Sequence, residues 1–290
     1  MTEAGGQTTL AARTKTLRGA GLHGGEPGSV TLAPGAPGTG LVFRRIDRPA
    51  WGDIAARVEN LRETPRATAL GYGPAEVRTV EHVLAAAVLA ELDNAVIEVE
   101  GAEIPAADGS AAPFLDLILE AGLAGQDAPR EVLVPPAPLE IVGGTGAGWA
   151  IRLEPADEPS FTFRFRGGGS LDGVEAGFAP GRDDPRPVAF ARTWCFEAEI
   201  QALLAKGLGR GGNAGTVLVI SSDGAAVNPM RVPLEPVRHK LLDLIGDLAL
   251  AGRPIGARVR AEGTGHAVHA EFLRRALPGM IRKEVSRNRD

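Results

Sequence analysis

Val237-Arg238-His239-Lys240-Leu241-Leu242-Asp243-Leu244-Ile245-Gly246-Asp247 is the stretch on which the reading of this chain turns. Leu241, Leu242, Leu244, Ile245 and Leu248 give it the apolar surface of a buried helix, yet charged groups stand among them. His239, Asp243 and Asp247 are spaced four apart, which on a helix sets them in one vertical stripe. An imidazole and a carboxylate one turn apart can grip a cation, and a carboxylate a further turn on can serve another part of the same site. Taken alone, the pattern is more simply a solvated face with Lys240 paired to a neighbouring acid. The histidine count argues for function, because the chain holds only five and the others also sit in unusual company.

The second of them, His82, lies in an Ala/Leu-rich segment over 79–90 that reads as a helix with Thr79 as its N-cap, so Glu81 and His82 fall in the first turn. Asp93-Asn94 ends this helix and 95–99 alternates as a strand. Val80-Glu81-His82-Val83-Leu84 and Val237-Arg238-His239-Lys240-Leu241 are matching helix starts, and each helix is followed by a Val/Ile strand ending in Glu-Gly. The echo points to two halves of similar α+β build. Gln126 to Pro138, short, polar and proline-bearing, reads as the linker between them, giving domains 1–127 and 128–290. In the first half, His23 sits in a glycine turn at 19–25, and Asp108 and Ser110 read as caps for a helix over 113–122. In the second, 139–142, 149–153 and 161–165 read as strands, 167–187 as a long loop and 197–206 as a helix. A strand over 216–220 and another over 255–260 follow, then a turn over 262–266 carrying His266, a helix over 269–277 and a frayed tail.

The totals narrow the class. The 290 residues suffice for one large or two ordinary domains, and 44% hydrophobic residues is a soluble globular content. Net charge is -5, so no nucleic-acid partner or anionic membrane surface is expected. Of the 31 cationic residues 27 are arginine, which suits forked recognition of phosphate or carboxylate. Cys195 is the one cysteine, so no intrachain disulfide is possible. The first residues show neither a basic stretch nor an apolar run of signal-peptide type, and no run reaches the ~20 apolar residues of a transmembrane segment. A cytoplasmic location is the expectation.

If the halves meet so that His82 faces His239, the two imidazoles and Asp243 form a three-ligand set with one position open, the composition of a catalytic zinc site. Glu81, beside a ligand histidine, is placed to take a proton from water. His266 on its glycine turn can protonate a leaving group, and Asp247 can orient His266 and favour its charged form. Lys240 or the Thr193 hydroxyl can meet a developing oxyanion. These are the parts of a metal-assisted amide or ester hydrolysis. Zinc is the preferred ion for two histidines and an aspartate, and iron(II) fits them as well.

At these residues the chain resembles the UDP-3-O-acyl-N-acetylglucosamine deacetylase family of lipid A biosynthesis. The matching segments are GAGLHGG (19–25), TVEHVLAA (79–86), LDNAVIEVEGAEIPAADGSAAPF (92–114), ARTWCF (191–196), KGLGRGGN (206–213), VRHKLLDLIGDLALAGRPI (237–255) and GTGH (263–266). The resemblance implies two α+β sandwich domains packed face to face with a zinc site between them. It matches His82, His239 and Asp243 to the zinc ligands, Glu81 to the general base, His266 to the general acid and Asp247 to its partner. Lys240 and Thr193 match oxyanion and substrate contacts, with Trp194, Phe196 and Gly212 beside the substrate. The implied reaction removes acetate from the 2-acetamido group of a nucleotide-sugar lipid, whose acyl chain enters an apolar passage around 193–219. No protein partner is implied.

Several positions depart from that pattern. Gly263 stands where the family usually has a basic residue facing the diphosphate, and no lysine lies between Lys15 and Lys206. His269 replaces a common asparagine, Asn213-Ala214-Gly215 replaces a bulkier run at the passage mouth, and Trp194 replaces phenylalanine. The catalytic parts are thus intact and the substrate-holding parts altered. Arginine is one source for the missing charge. The rival readings are a zinc deacetylase for another N-acetylated amidosugar and a catalytically silent binding protein on the same scaffold.

Overall fold

A computed structural model describes residues 6–144, 148–167 and 169–285. Its helices are α1 (Glu81–Leu89), α2 (Ala112–Ala121), α3 (Arg186–Ala189), α4 (Ile200–Ala205), α5 (Glu235–Leu248) and α6 (His266–Ala276). The echo in the sequence corresponds to a repeat in the topology. Each half contains a five-stranded sheet in which the last strand to form in sequence takes the middle place. In the first half Ala95–Glu100 lies there, antiparallel to Pro27–Pro34 and parallel to Leu41–Arg45, with Leu17–Ala20 and Asp53–Ala55 at the edges. In the second, Ala257–Glu262 lies antiparallel to Trp149–Pro155 and parallel to Ser160–Arg164, with Leu139–Gly143 and Glu175–Phe178 outside. Both central strands alternate buried and less buried residues, as expected when one face meets a core. The fold is α+β, as the sequence implied.

Helix α5 is buried along almost its whole length, only Arg238 and Lys240 escaping, and it lies on Ser160–Arg164 and Glu175–Phe178 while also meeting α1. Gly246 makes that crossing possible: a Cβ there would stand 2.2 Å from the Glu81 carbonyl oxygen. The absence of a side chain at one position lets the two helices touch backbone to backbone. Buried residues of both halves merge in one hydrophobic cluster, from Val30, Phe43 and Ile97 through Leu84 and Leu241 to Phe163 and Val259.

Several local expectations are corrected. The stretch read as a linker is largely a strand, Leu123–Val134, paired through its first part with Gly6–Leu10 and through its last part with Ile281–Val285. Pro129 and the polar residues disguised it, but its register slips near Gly6, where the proline faces the partner. The tail read as frayed is therefore partly that strand, and 286–290 fall outside the described residues. The loop 167–187 contains the edge strand Glu175–Phe178 and the start of α3. Thr79 does not cap α1. It takes a left-handed backbone (φ 58) and gives its hydroxyl proton to Glu103, while Val80 occupies the cap position. Helix α6 starts at His266, three residues before its expected beginning. Ala111, and not Asp108 or Ser110, occupies the cap position of α2; Ser110 just before it accepts the Ala112 N–H, and Asp108 in turn accepts from Ser110.

Candidate active site

Each half inserts a segment between its last edge strand and the helix that crosses to the other half, α1 or α5. In the first half this is the small sheet of Leu61–Arg62, Ala69–Tyr72 and Ala75–Arg78, and in the second it is α3, α4 and the parallel pair Trp194–Phe196 and Leu218–Ile220. The site forms where these inserts meet the crossing of α1 and α5.

The structure brings His82 and His239 together. His82 from α1 and His239 from α5 lie edge to face with ring centres 5.1 Å apart. Their ring nitrogens and an Asp243 oxygen all come within 4.8 Å of one another. His239 Nδ1 is 2.9 Å from the Ala191 carbonyl, which can only accept, so the proton is on Nδ1. That leaves the Nε2 lone pair beside Asp243 Oδ1 at 3.3 Å. Burial lowers the pKa of both histidines, that of His82 to about 3, and keeps them neutral. Burial opposes ionisation of Asp243, but the charges of Lys240 and His266 outweigh it and hold its pKa below the ordinary value. Two neutral imidazoles and one carboxylate converging in this way fit a divalent cation. Lys240 Nζ rests on the other Asp243 oxygen at 2.5 Å.

Beside this cluster, the Glu81 carboxylate accepts the backbone N–H of Thr68 at 3.0 Å. Burial raises its pKa to about 7, the nearby charge of His266 working against the shift. Asp247, one turn after Asp243 on α5, places Oδ2 2.7 Å from His266 Nδ1. Burial works against a charged His266, yet Asp247 and Asp243 prevail and raise its pKa to about 9. His266 Nε2 is 3.9 Å from Asp243 Oδ2.

All these side chains except Asp247 line one cavity of about 600 Å³ together with Thr193, Trp194, Phe196 and Gly212. Thr193 is fixed through its backbone, donating its N–H to the Gly109 carbonyl and accepting from Leu218 N–H. Trp194 gives its indole N–H to the Pro236 carbonyl at 3.0 Å and meets Phe196 edge to face at 5.2 Å. Beyond them Leu203, Leu204, Val217 and Val219 give the cavity an apolar wall. His23 also lines it, and both its ring nitrogens are buried without a hydrogen-bond partner among the described residues. Gly263 has φ 63, and Arg166 lies alongside: a Cβ on the glycine would meet Arg166 Cβ at 3.4 Å. The guanidinium there is held by Glu262 at 2.6 Å.

Sequence reasoning missed three supports. Thr68 binds Glu81 through its N–H and Asp247 Oδ1 through its hydroxyl at 2.5 Å, although it sits in a stretch with no periodic signal. The Ala191 carbonyl that fixes His239 is backbone and leaves no mark in composition. Glu103 takes the N–H groups of His23 and Gly24, both at 2.8 Å, and so ties the glycine turn to the start of α1.

A sequence model of the family described as UDP-3-O-acyl N-acetylglycosamine deacetylase matches residues 7–277. Among curated proteins, the UDP-3-O-acyl-N-acetylglucosamine deacetylase of Anaeromyxobacter sp. (strain Fw109-5) is 40% identical over 282 residues, 95% of this chain and 90% of its own length. The protein of the same name from Thermosynechococcus vestitus is 39% identical, covering 94% of this chain and 98% of its own. That from Myxococcus xanthus is 38% identical over 93% of this chain and 86% of its own. Matching over nearly its full length, with converging donors where the shared segments meet, this chain belongs to the UDP-3-O-acyl-N-acetylglucosamine deacetylase family.

Proposed function

We propose that this protein is a zinc-dependent amidohydrolase that removes the acetyl group from the 2-acetamido nitrogen of UDP-3-O-acyl-N-acetylglucosamine, in lipid A biosynthesis. The observation that carries the reading is the convergence of His82, His239 and Asp243 in the same cavity as Glu81 and His266. The family is one of metal-dependent enzymes, and zinc suits this donor set. A zinc ion held by these three residues supplies Lewis acidity, which draws charge from a carbonyl and makes water nucleophilic at neutral pH.

The chain's own groups then divide the proton work. Glu81 receives a proton from the attacking water as its oxygen adds to the acetyl carbonyl carbon. The Lys240 ammonium and Thr193 hydroxyl meet the negative charge that develops on the carbonyl oxygen. His266, kept cationic by Asp247, delivers a proton to the sugar nitrogen as the C–N bond breaks, releasing acetate and the free amine. Trp194, Phe196 and Gly212 border the sugar, and the wall from Leu203 to Val219 takes the acyl chain. We assign the chain two domains, 1–127 and 128–290, and a cytoplasmic place of action. Among the described residues no helix is long and apolar enough to cross a membrane.

The test is acetate release from UDP-3-O-acyl-N-acetylglucosamine by protein of measured metal content. Activity that disappears with a chelator and returns with zinc is expected. Zinc-replete protein that releases no acetate from this substrate, but does so from another N-acetylated sugar, would replace the reading with the paralogous one. The side chain missing at Gly263 is the feature favouring that alternative, and the adjacent Arg166 is the feature against it.

A further inference from the structure

Asp247 is bonded more heavily than a partner for one histidine requires. Its Oδ1 accepts the Thr68 hydroxyl at 2.5 Å, and its Oδ2 faces two imidazoles, His266 Nδ1 at 2.7 Å and His269 Nδ1 at 2.6 Å. The histidines lie three apart on α6, so both rings reach the same oxygen from one face of the helix, their centres 6.4 Å apart. They differ in what the other nitrogen does. His266 turns Nε2 to the cavity, whereas His269 is fully buried and has Nε2 2.8 Å from the Thr264 hydroxyl.

That geometry fixes the state of His269. An ionised carboxylate only accepts, so the proton of a neutral ring must be on Nδ1. Nε2 then accepts the Thr264 O–H. Burial lowers the pKa of His269, consistent with the neutral form. Flipping the ring would leave C–H groups facing both partners and strand two buried polar groups. A neutral ring adds no charge beside His266, so its effect is geometric.

We propose that His269 is a positioning residue: it holds the Asp247 carboxylate in the one orientation that aims His266 at the cavity. This rests on the assignment of His266 as the proton donor. With His269 and Thr68 in place, the carboxylate is gripped from three sides and cannot rotate away from His266. Without His269, one Oδ2 lone pair and the space beside it are released, and the His266 ring gains freedom at the atom that must meet the sugar nitrogen.

The test uses the full chain loaded with zinc. His269→Leu fills the space but carries no donor, and kcat is expected to fall roughly 10–100-fold, the scale of one lost hydrogen bond to a charged group. KM and zinc content should stay at wild-type levels. His269→Asn places an amide N–H close to the lost ring N–H and should recover most of kcat. Proton NMR of 15N-histidine-labelled protein gives a readout independent of turnover. The His266 Nδ1–H signal should be sharp in wild type, lost to exchange in His269→Leu and restored in His269→Asn. Wild-type kcat and signal in His269→Leu, or an Asn variant as impaired as Leu, overturns the proposal. If wild type releases no acetate while the His266 signal still follows this series, the deacetylase reading fails and the positioning role stands.

Discussion

The two halves solve one structural problem with the same residue type and opposite electrostatics. Each must tether its insert to the start of the helix that follows it, α1 or α5, and each does so with the glutamate that opens that helix. Glu81 accepts the Thr68 N–H at 3.0 Å, and Glu235 accepts the Arg192 N–H at 3.0 Å. Glu235 also receives the Arg192 guanidinium, Nε to Oε1 at 2.8 Å, with both side chains buried. Burial disfavours its charge, but the hydrogen bonds from Arg192 and Arg231 win and hold its pKa below the ordinary value. Among the described residues Glu81 has no guanidinium partner, and burial lifts its pKa to about 7. One glutamate is locked as an anion and serves as a strut. The other has its pKa in the neutral range, beside the converging His82, His239 and Asp243. Among the described residues, the two similar folds are thus asymmetric in that a guanidinium is bonded to only one of two equivalent carboxylates.

The strongest way to break this contrast is to neutralise both. Glu81→Gln keeps an acceptor for Thr68 but cannot take a proton, so acetate release should fall by about 10²–10⁴-fold, with zinc content retained. A Glu81→Gln protein that keeps wild-type turnover removes the base from the mechanism. Glu235→Gln should do the reverse, leaving the Arg192 charge buried without its counter-ion at a cost of about 3–5 kcal/mol in stability. Denaturant melts should show it, the surviving folded protein remaining catalytic.

The pH dependence of the same melts sharpens the point. The folded-state pKa of Glu235 is lowered, so its contribution is complete above the unfolded-state value of about 4.3. It fades as pH falls below that value, and the gap between wild type and Glu235→Gln should close in acid. The smallest effect concerns the place where the halves touch. In Gly246→Ala the new methyl would meet the Glu81 carbonyl at 2.2 Å, and shifting α1 off α5 should cost about 1–3 kcal/mol. Because that shift separates His82 from His239, zinc affinity measured by competition should weaken too. Unchanged affinity would mean the helices part without moving the ligands.

What the sequence disclosed follows from where the information resides. His239, Asp243 and Asp247 announced themselves because helical periodicity projects spacing directly onto a face, and His82 because its segment repeats that helix start. The resemblance of seven dispersed segments then tied the pieces together. Thr68, Glu103 and the Ala191 carbonyl were invisible because each acts through a contact distant in sequence: Thr68 reaches Asp247 across 179 positions. The same applies to Leu123–Val134, whose composition says linker and whose pairing is decided by partners near residues 6 and 285. Thr79 misled because its helix-capping propensity was overridden by a buried carboxylate, Glu103, which claimed its hydroxyl.

That connecting strand has a consequence of its own. Residues 123–129 are stitched to Gly6–Leu10, which precede the first sheet, and 130–134 to Ile281–Val285, which follow the second. Neither half can unravel at this seam without stripping the backbone partners of a ribbon continuous with the other. Cooperativity between the lobes is therefore woven into the main chain, and does not depend only on how well side chains fit across the cleft.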